Sequence, residues 1–291
     1  MRDWRRLDFC NCLQIDPFDF EDEITTLRND RESEFLMSID REPFLQDYVV
    51  PICAYTEKSG QAVISEYCGT AFFINKVGHF LTAKHVVDVC RADRSRTYGL
   101  VVKGPNDASN HMAPLTVLED APAPWDVSIG FIAMPTTTWV RWPVGSAVAE
   151  WSDVATMGYP ESALRVSPAQ FDIHLRTLKG YVIRQLTGDD YGPSGGQAPG
   201  LELSFVVPQG MSGAPLFLQG SGPTFDLVGV CVSSHETEVC EHVHEEVEES
   251  GSIFRERRLR VEQYGIAHRV SALADWEPAL LNGLSLREAM T

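Results

Sequence analysis

The chain has 291 residues, of which 44% are hydrophobic, enough for one large core or two modest ones, and this excludes a disordered polymer as the starting assumption. Its 41 acidic against 24 basic side chains give a formal net charge of −17, so its long-range field repels phosphate backbones and anionic headgroups. Neither a nucleic acid nor a membrane is expected as a partner.

Residues 1–45 are rich in charge with scattered apolar positions, residues 21–28 being the best helical candidate, and they read as an N-terminal extension. The opening Met1-Arg-Asp-Trp-Arg-Arg6 leads into acidic sequence instead of the apolar core of a secretory signal. No segment reaches the roughly 18 uninterrupted apolar residues of a membrane span. Seven cysteines at irregular positions (10, 12, 53, 68, 90, 231 and 240) suit reduced thiols better than a disulfide framework. Together these features predict a soluble, cytoplasmic protein.

From residue 46 to 143, short β-type runs such as 49–52, 71–74 and 80–83 alternate with Gly, Asn, Asp and Pro, and only residues 84–90 suggest a helical turn. This predicts one all-β unit. A second begins at 144, with strands expected over 153–160, 175–183, 201–207, 215–218 and 225–232. The Gly/Pro/Ser-rich residues 192–200 predict a flexible surface loop, and residues 236–260 a charged, solvated insertion. Past Val270 the spacing of Leu273, Trp276, Leu280 and Leu281 predicts a helix that closes the chain.

Three residues carry the chemistry. Hydrolysis of a peptide by serine needs an activated hydroxyl, a base, a group that orients the base, and donors for the oxyanion. Ser212 lies in Gly210-Met-Ser-Gly-Ala-Pro215, where glycines on both sides allow a tight turn; the N–H groups of Gly210 and Ser212 are the candidate oxyanion donors. His85 stands where a β run ends and a helical turn begins. Asp126 stands between Trp125 and the apolar run 127–132, a place where a carboxylate needs a partner. Taken singly, these are an ordinary hairpin turn, a structural histidine and a solvated turn acid. Their joint order of His, Asp, Ser across two β units is what points to catalysis.

At these residues the sequence resembles the chymotrypsin-like serine proteases. Thr82-Ala-Lys-His85 matches that family's Thr-Ala-x-His, Asp126-Val-Ser-Ile129 its aspartate followed by an apolar strand, and Gly210-Met-Ser-Gly-Ala-Pro215 its Gly-x-Ser-Gly-x-Pro loop. The resemblance spans about residues 48–285 and implies an all-β fold of two six-stranded antiparallel Greek-key barrels with a C-terminal helix. It implies a serine endopeptidase with no cofactor, using His85, Asp126 and Ser212. It also places the specificity-pocket floor near Val206, the far wall at Gly265 and Ala267, and the substrate-pairing edge at Val232, Ser233 and Ser234. With no carboxylate at those positions, small or medium apolar residues are expected before the scissile bond.

Met211 occupies the position of the aspartate that pairs with a new amino terminus in the zymogen-activated branch, so activation by N-terminal insertion is not expected. The sequence is more similar to the HtrA-like intracellular branch, without the carboxylate-binding loop of a PDZ domain. Residues 1–45 and 236–260 are the candidates for binding a regulatory partner. His235, Cys240, His242 and His244 match no zinc-ligand spacing, and no metal is expected. Two other readings are a catalytically silent protease fold that binds peptides or a partner, and an acyl hydrolase on an α/β sheet. The second needs glycine where Ala214 stands, and a different triad order.

Overall fold

The computed structural model describes residues 47–58, 61–103, 110–134, 136, 139–142, 147–167, 170–191, 198–219, 225–247 and 253–291. The N-terminal extension with its Cys10 and Cys12, and residues 192–197 of the expected loop, lie outside these.

Alternation of side chains across the strands explains why so many apolar runs are continuous. In β2 (Gln61–Phe73), Phe72 and Phe73 are both buried but point to opposite faces; the same holds for Phe80 and Leu81 in β3 (His79–Thr82). Phe73 and Phe80 fill the core of the first sheet together with Val50, Ile52 and Leu100. Phe72 and Leu81 face the other way, into a cluster shared with Met157, Phe217, Leu227 and Val270 of the second half of the chain. A strand buried on both faces therefore shows no polar interruption.

The first sheet is completed by β1 (Val49–Lys58), β4 (Thr97–Lys103), β5 (Asn110–Pro114), β6 (Val117–Asp120) and β7 (Ser128–Phe131). It is seven-stranded and antiparallel, in the order β5-β4-β1-β2-β3-β7-β6. The expected helical turn is helix α1 (Lys84–Ala92), between β3 and β4; it buries Val86, Val87 and Cys90.

The second half begins with β8 (Asp153–Gly158), followed by a separate hairpin of β9 (Leu164–Ser167) and β10 (Gln170–Ile173). Then come β11 (Arg176–Leu186), β12 (Gly200–Leu203), β13 (Pro215–Gln219), β14 (Phe225–Val247) and β15 (Ile253–Arg269). Six of these close into an antiparallel barrel, β11-β12-β15-β14-β13-β8, around Val154, Val182, Leu201, Leu203 and Leu216. The architecture is all-β, as expected, with two curled antiparallel sheets consistent with the two-barrel arrangement; the second closes into the six-stranded barrel, and the first has one strand more than expected.

Two local expectations need correction. Residues 236–247 and 253–260 of the charged insertion are not irregular: β14 and β15 stay paired from Gly229↔Arg269 out to Val247↔Ile253, as a projecting two-stranded arm. The helix expected over Leu273–Leu281 is also absent. Val270–Leu273 and Ala279–Leu281 are 3₁₀ turns with Trp276 between them, and the α-helix is the four-residue α2 (Leu286–Ala289), with a capping box from Ser285 and Glu288. Pro278 disfavours helical backbone at Glu277, and Asn282 and Gly283 adopt positive φ, so a continuous helix is blocked on both sides.

Candidate active site

Helix α1 lacks a side-chain cap at Ala83, and the first N–H groups of any helix need acceptors from elsewhere. Asp126, in the segment between β6 and β7, supplies one: its Oδ1 accepts from the His85 N–H at 2.8 Å. Its Oδ2 lies 2.7 Å from His85 Nδ1. A carboxylate at the positive end of a helix is favourable, and here one carboxylate fixes both the backbone and the ring of the same histidine. Because the carboxylate accepts, the neutral ring carries its hydrogen on Nδ1 and leaves Nε2 as the acceptor nitrogen.

Burial pulls the Asp126 pKa upward, but the side-chain hydrogen bond, charge and backbone N–H of His85 outweigh it and the carboxyl is held below its ordinary value. It therefore stays ionised at neutral pH.

The Ser212 turn is clamped to the first sheet through its carbonyls. The Thr70 N–H donates to Ser212 O at 2.9 Å, and the hydroxyls of Tyr67 and Thr70 converge on Gly210 O. Gly213 has φ of +87°, and a Cβ there would stand 2.1 Å from Thr70 O and 2.4 Å from Thr82 Oγ1, so only glycine fits. Gly69 is pinched in the same way between Val86, next to His85, and Ser212 O. These contacts bring the serine turn of the second barrel against the start of α1.

The N–H groups within the turn divide into two sets. Those of Met211, Gly213 and Ala214 donate to Pro208, Cys231 and Met211 carbonyls, whereas those of Gly210 and Ser212 meet no protein acceptor among the described residues. The two expected oxyanion donors are thus the two left open. Ser212 Oγ donates to Val232 O at 3.3 Å, and no bond to His85 forms in this state. Catalytic hydrogen bonds commonly tighten only when substrate binds.

A cleft of about 480 Å³ beside His85 and Asp126 is lined by these two with Pro124, Val232, Ser233 and His268, and Ser212 is not among its lining residues. Val232 and Ser233 of the expected substrate edge thus face it. Ser234 lies further along, its hydroxyl bridging the N–H and carbonyl of Val207, both at 2.9 Å. It pairs with Gly265, whose N–H donates to Phe205 O at 2.7 Å. The residues on either side of Val206 are thereby held against Ser234 and Gly265. Ala267 is fully buried among Val207 and Met211 in the barrel core.

Sequence reasoning missed Tyr67 and Thr70, the clamp on the serine turn, and His268, which contacts the Asp126 backbone at 3.3 Å. The one signal for His268 was a polar ring within the otherwise apolar run 265–267 and 270. His242 and His244 lie on the arm, and a bulge between Cys240 and His242 breaks the alternation that would align the three. Among the described residues no group of three or more His, Cys, Asp or Glu side chains is placed to hold a metal, and no helix is long and apolar enough to cross a membrane.

No protein-family profile matches the sequence, and no curated protein matches it. Among solved structures, the chain is similar to an HtrA-type protease, AlgW, with a decapeptide, at a TM-score of 0.51 and 11% identity. The likeness covers 78% of this chain and 62% of that one, so this chain spans less than two thirds of AlgW's length. The protease domain of MamO from Magnetospirillum magneticum aligns at a TM-score of 0.47 and 12% identity, over 80% of this chain and 96% of that one. The fold is chymotrypsin-like. In this fold, His85 stands at the start of α1, Asp126 in the segment between β6 and β7 of the first sheet, and Ser212 in the turn before β13 of the second barrel.

Proposed function

We propose that the protein is a serine endopeptidase. The observation that carries the reading is the double attachment of Asp126 to His85, through Nδ1 at 2.7 Å and the backbone N–H at 2.8 Å, which leaves Nε2 as a base beside the serine turn. In the reaction, Ser212 Oγ attacks the peptide carbonyl as its proton passes to His85 Nε2, and Asp126 stabilises the imidazolium formed. The open N–H groups of Gly210 and Ser212 receive the tetrahedral oxyanion. His85 then returns the proton to the departing amine. An acyl-enzyme is left on Ser212, and water resolves it by the same steps in reverse.

An extended peptide would pair with the Val232–Ser234 edge, and a pocket bounded by Val206 and Gly265, without a carboxylate, would prefer small or medium apolar residues. Met211 is fully buried in the barrel core, where its thioether has no ion pair to offer a new amino terminus. Substrate docking is thus independent of N-terminal cleavage in this reading. Residues 1–45 and the arm are the segments proposed to meet a regulatory partner.

The contact of Ser212 Oγ with Val232 O favours one second reading, a peptide-binding protein whose serine stays turned away from its base. One experiment separates the two. The wild type should be labelled by a fluorophosphonate and should cleave a peptide library after apolar residues, and Ser212→Ala should lose both. Absent labelling of the wild type, or hydrolysis that survives Ser212→Ala, overturns the peptidase reading; cleavage mainly after arginine overturns the specificity alone.

A further inference from the structure

His268 belongs to the second barrel, where β15 pairs it with Gly200 and Val230, yet it reaches the aspartate of the first sheet. Its Nδ1 accepts the Asp126 N–H at 3.3 Å, and Trp125 meets its ring edge-on, 5.6 Å between centroids at 83°. The residue is 2% exposed. Since Nδ1 accepts, the neutral ring carries its hydrogen on Nε2, and that atom is buried with no partner among the described residues. Burial holds the ring neutral, lowering its pKa to about 4 against the opposing pull of the Asp126 charge.

A buried unpaired donor is unfavourable, and a leucine or phenylalanine could pack against Trp125 without creating one. What no apolar side chain can supply is the acceptor for the Asp126 N–H. We propose that His268 is a positioning residue for the peptidase site described above: by holding the Asp126 peptide from the second barrel, it aims both carboxylate oxygens at His85. Asp126 is then gripped from two sides, by His85 through its carboxylate and by His268 through its backbone. The packing of one barrel on the other is thereby felt at the base.

The inference rests on the peptidase reading but can fail separately from it. Two substitutions separate acceptor from bulk: in His268→Asn the amide oxygen stands near the place of Nδ1, and in His268→Phe the ring remains without an acceptor. Activity is normalised to sites titrated with a fluorophosphonate, and the low-field proton resonance of His85 Nδ1–H is recorded by NMR, which needs no turnover. Expected for His268→Phe is a fall in kcat of about 10- to 100-fold with KM within about twofold, as for a misaimed catalytic group. The acid limb of its kcat–pH profile should move to lower pH, because a misdirected Asp126 supports the His85 imidazolium less, and its low-field resonance should broaden. His268→Asn should keep kcat within about threefold of wild type and retain the resonance.

Should His268→Phe not fold, His268→Gln replaces it, since its amide oxygen reaches toward the Nε2 side. The proposal is overturned if the Asn and acceptor-free variants are equally active per titrated site. It is equally overturned if both lose activity while the acid limb and the resonance stay where they were, the mark of a purely structural role. If the wild type proves inert to the fluorophosphonate, the peptidase reading falls, and the resonance still decides whether His268 aims Asp126.

Discussion

Strands β14 and β15 are each continuous, but their two halves live in different surroundings. At the base, Leu227, Val228, Val230, Cys231, Val232, Ile266 and Ala267 are buried, and this half carries Val232, Ser233 and His268 to the cleft. Beyond His235↔Tyr264 the same ladder runs into solvent, with Val243, Ile253, Phe254, Leu259 and Val261 about half exposed or more and charged side chains between them. The backbone hydrogen bonds are alike in both halves. What differs is burial, so the base is where a small change in shape or charge should matter, and the arm is where it should not.

The largest expected effect in this comparison is the pH dependence of stability contributed by His268. Its pKa is lowered to about 4 in the fold, against 6.5 for an ordinary histidine. Between those values the unfolded chain binds a proton that the native state refuses, so stability present above pH 6.5 is lost as pH falls toward 4. At pH 5 this one group should have removed about 2 kcal/mol relative to pH 7. Urea unfolding at the two pH values measures it, and His268→Asn should lose less stability than wild type by about that amount. An identical pH dependence in the two proteins would mean that His268 titrates freely and is not buried as described.

Next comes the wall of the proposed specificity pocket. A Cβ on Gly265 would stand 2.5 Å from Phe205 O and 2.8 Å from a Val207 methyl, and the first of these is backbone that cannot rotate aside. Gly265→Ala should cost about 1–2 kcal/mol, within the range typical of overpacking, and should reduce cleavage after medium-sized residues more than after small ones. Denaturant midpoints and a series of peptides differing only before the scissile bond check both parts. An unchanged ratio of cleavage between small and medium residues would remove Gly265 from the pocket.

The same contrast explains what could be read from the sequence. His85, Asp126 and Ser212 could be singled out as candidates because each stands in a short motif whose residue types are set by local chemistry: a helix start, an acid before an apolar strand, a glycine-flanked turn. The strands of the base were legible as apolar runs. The arm was not, because its side chains carry charge on both faces and its ladder is held by backbone groups and cross-strand pairs such as Glu245 with Arg255. Nor was the role of His268, which depends on β15 meeting the Asp126 segment 142 positions away in sequence. The closing helix was misread because apolar spacing over Leu273–Leu281 also fits two 3₁₀ turns, and Pro278 decides between them.

The smallest effect belongs to the arm. Arg255 Nη2 lies 2.8 Å from Glu245 Oε1, directly across the ladder, but both side chains are about half exposed. Water and salt screen such a pair, and the entropy of holding two long side chains offsets most of what remains. Arg255→Gln should therefore change stability by under about 1 kcal/mol, with the difference vanishing in high salt. Peptide hydrolysis should be unchanged within about twofold, since the residue sits far along the ladder from Val232 and Ser233. A large loss of hydrolysis with intact stability would show that the arm reaches the cleft or its substrate, and the division of the two strands into a working base and a separate arm would have to be abandoned.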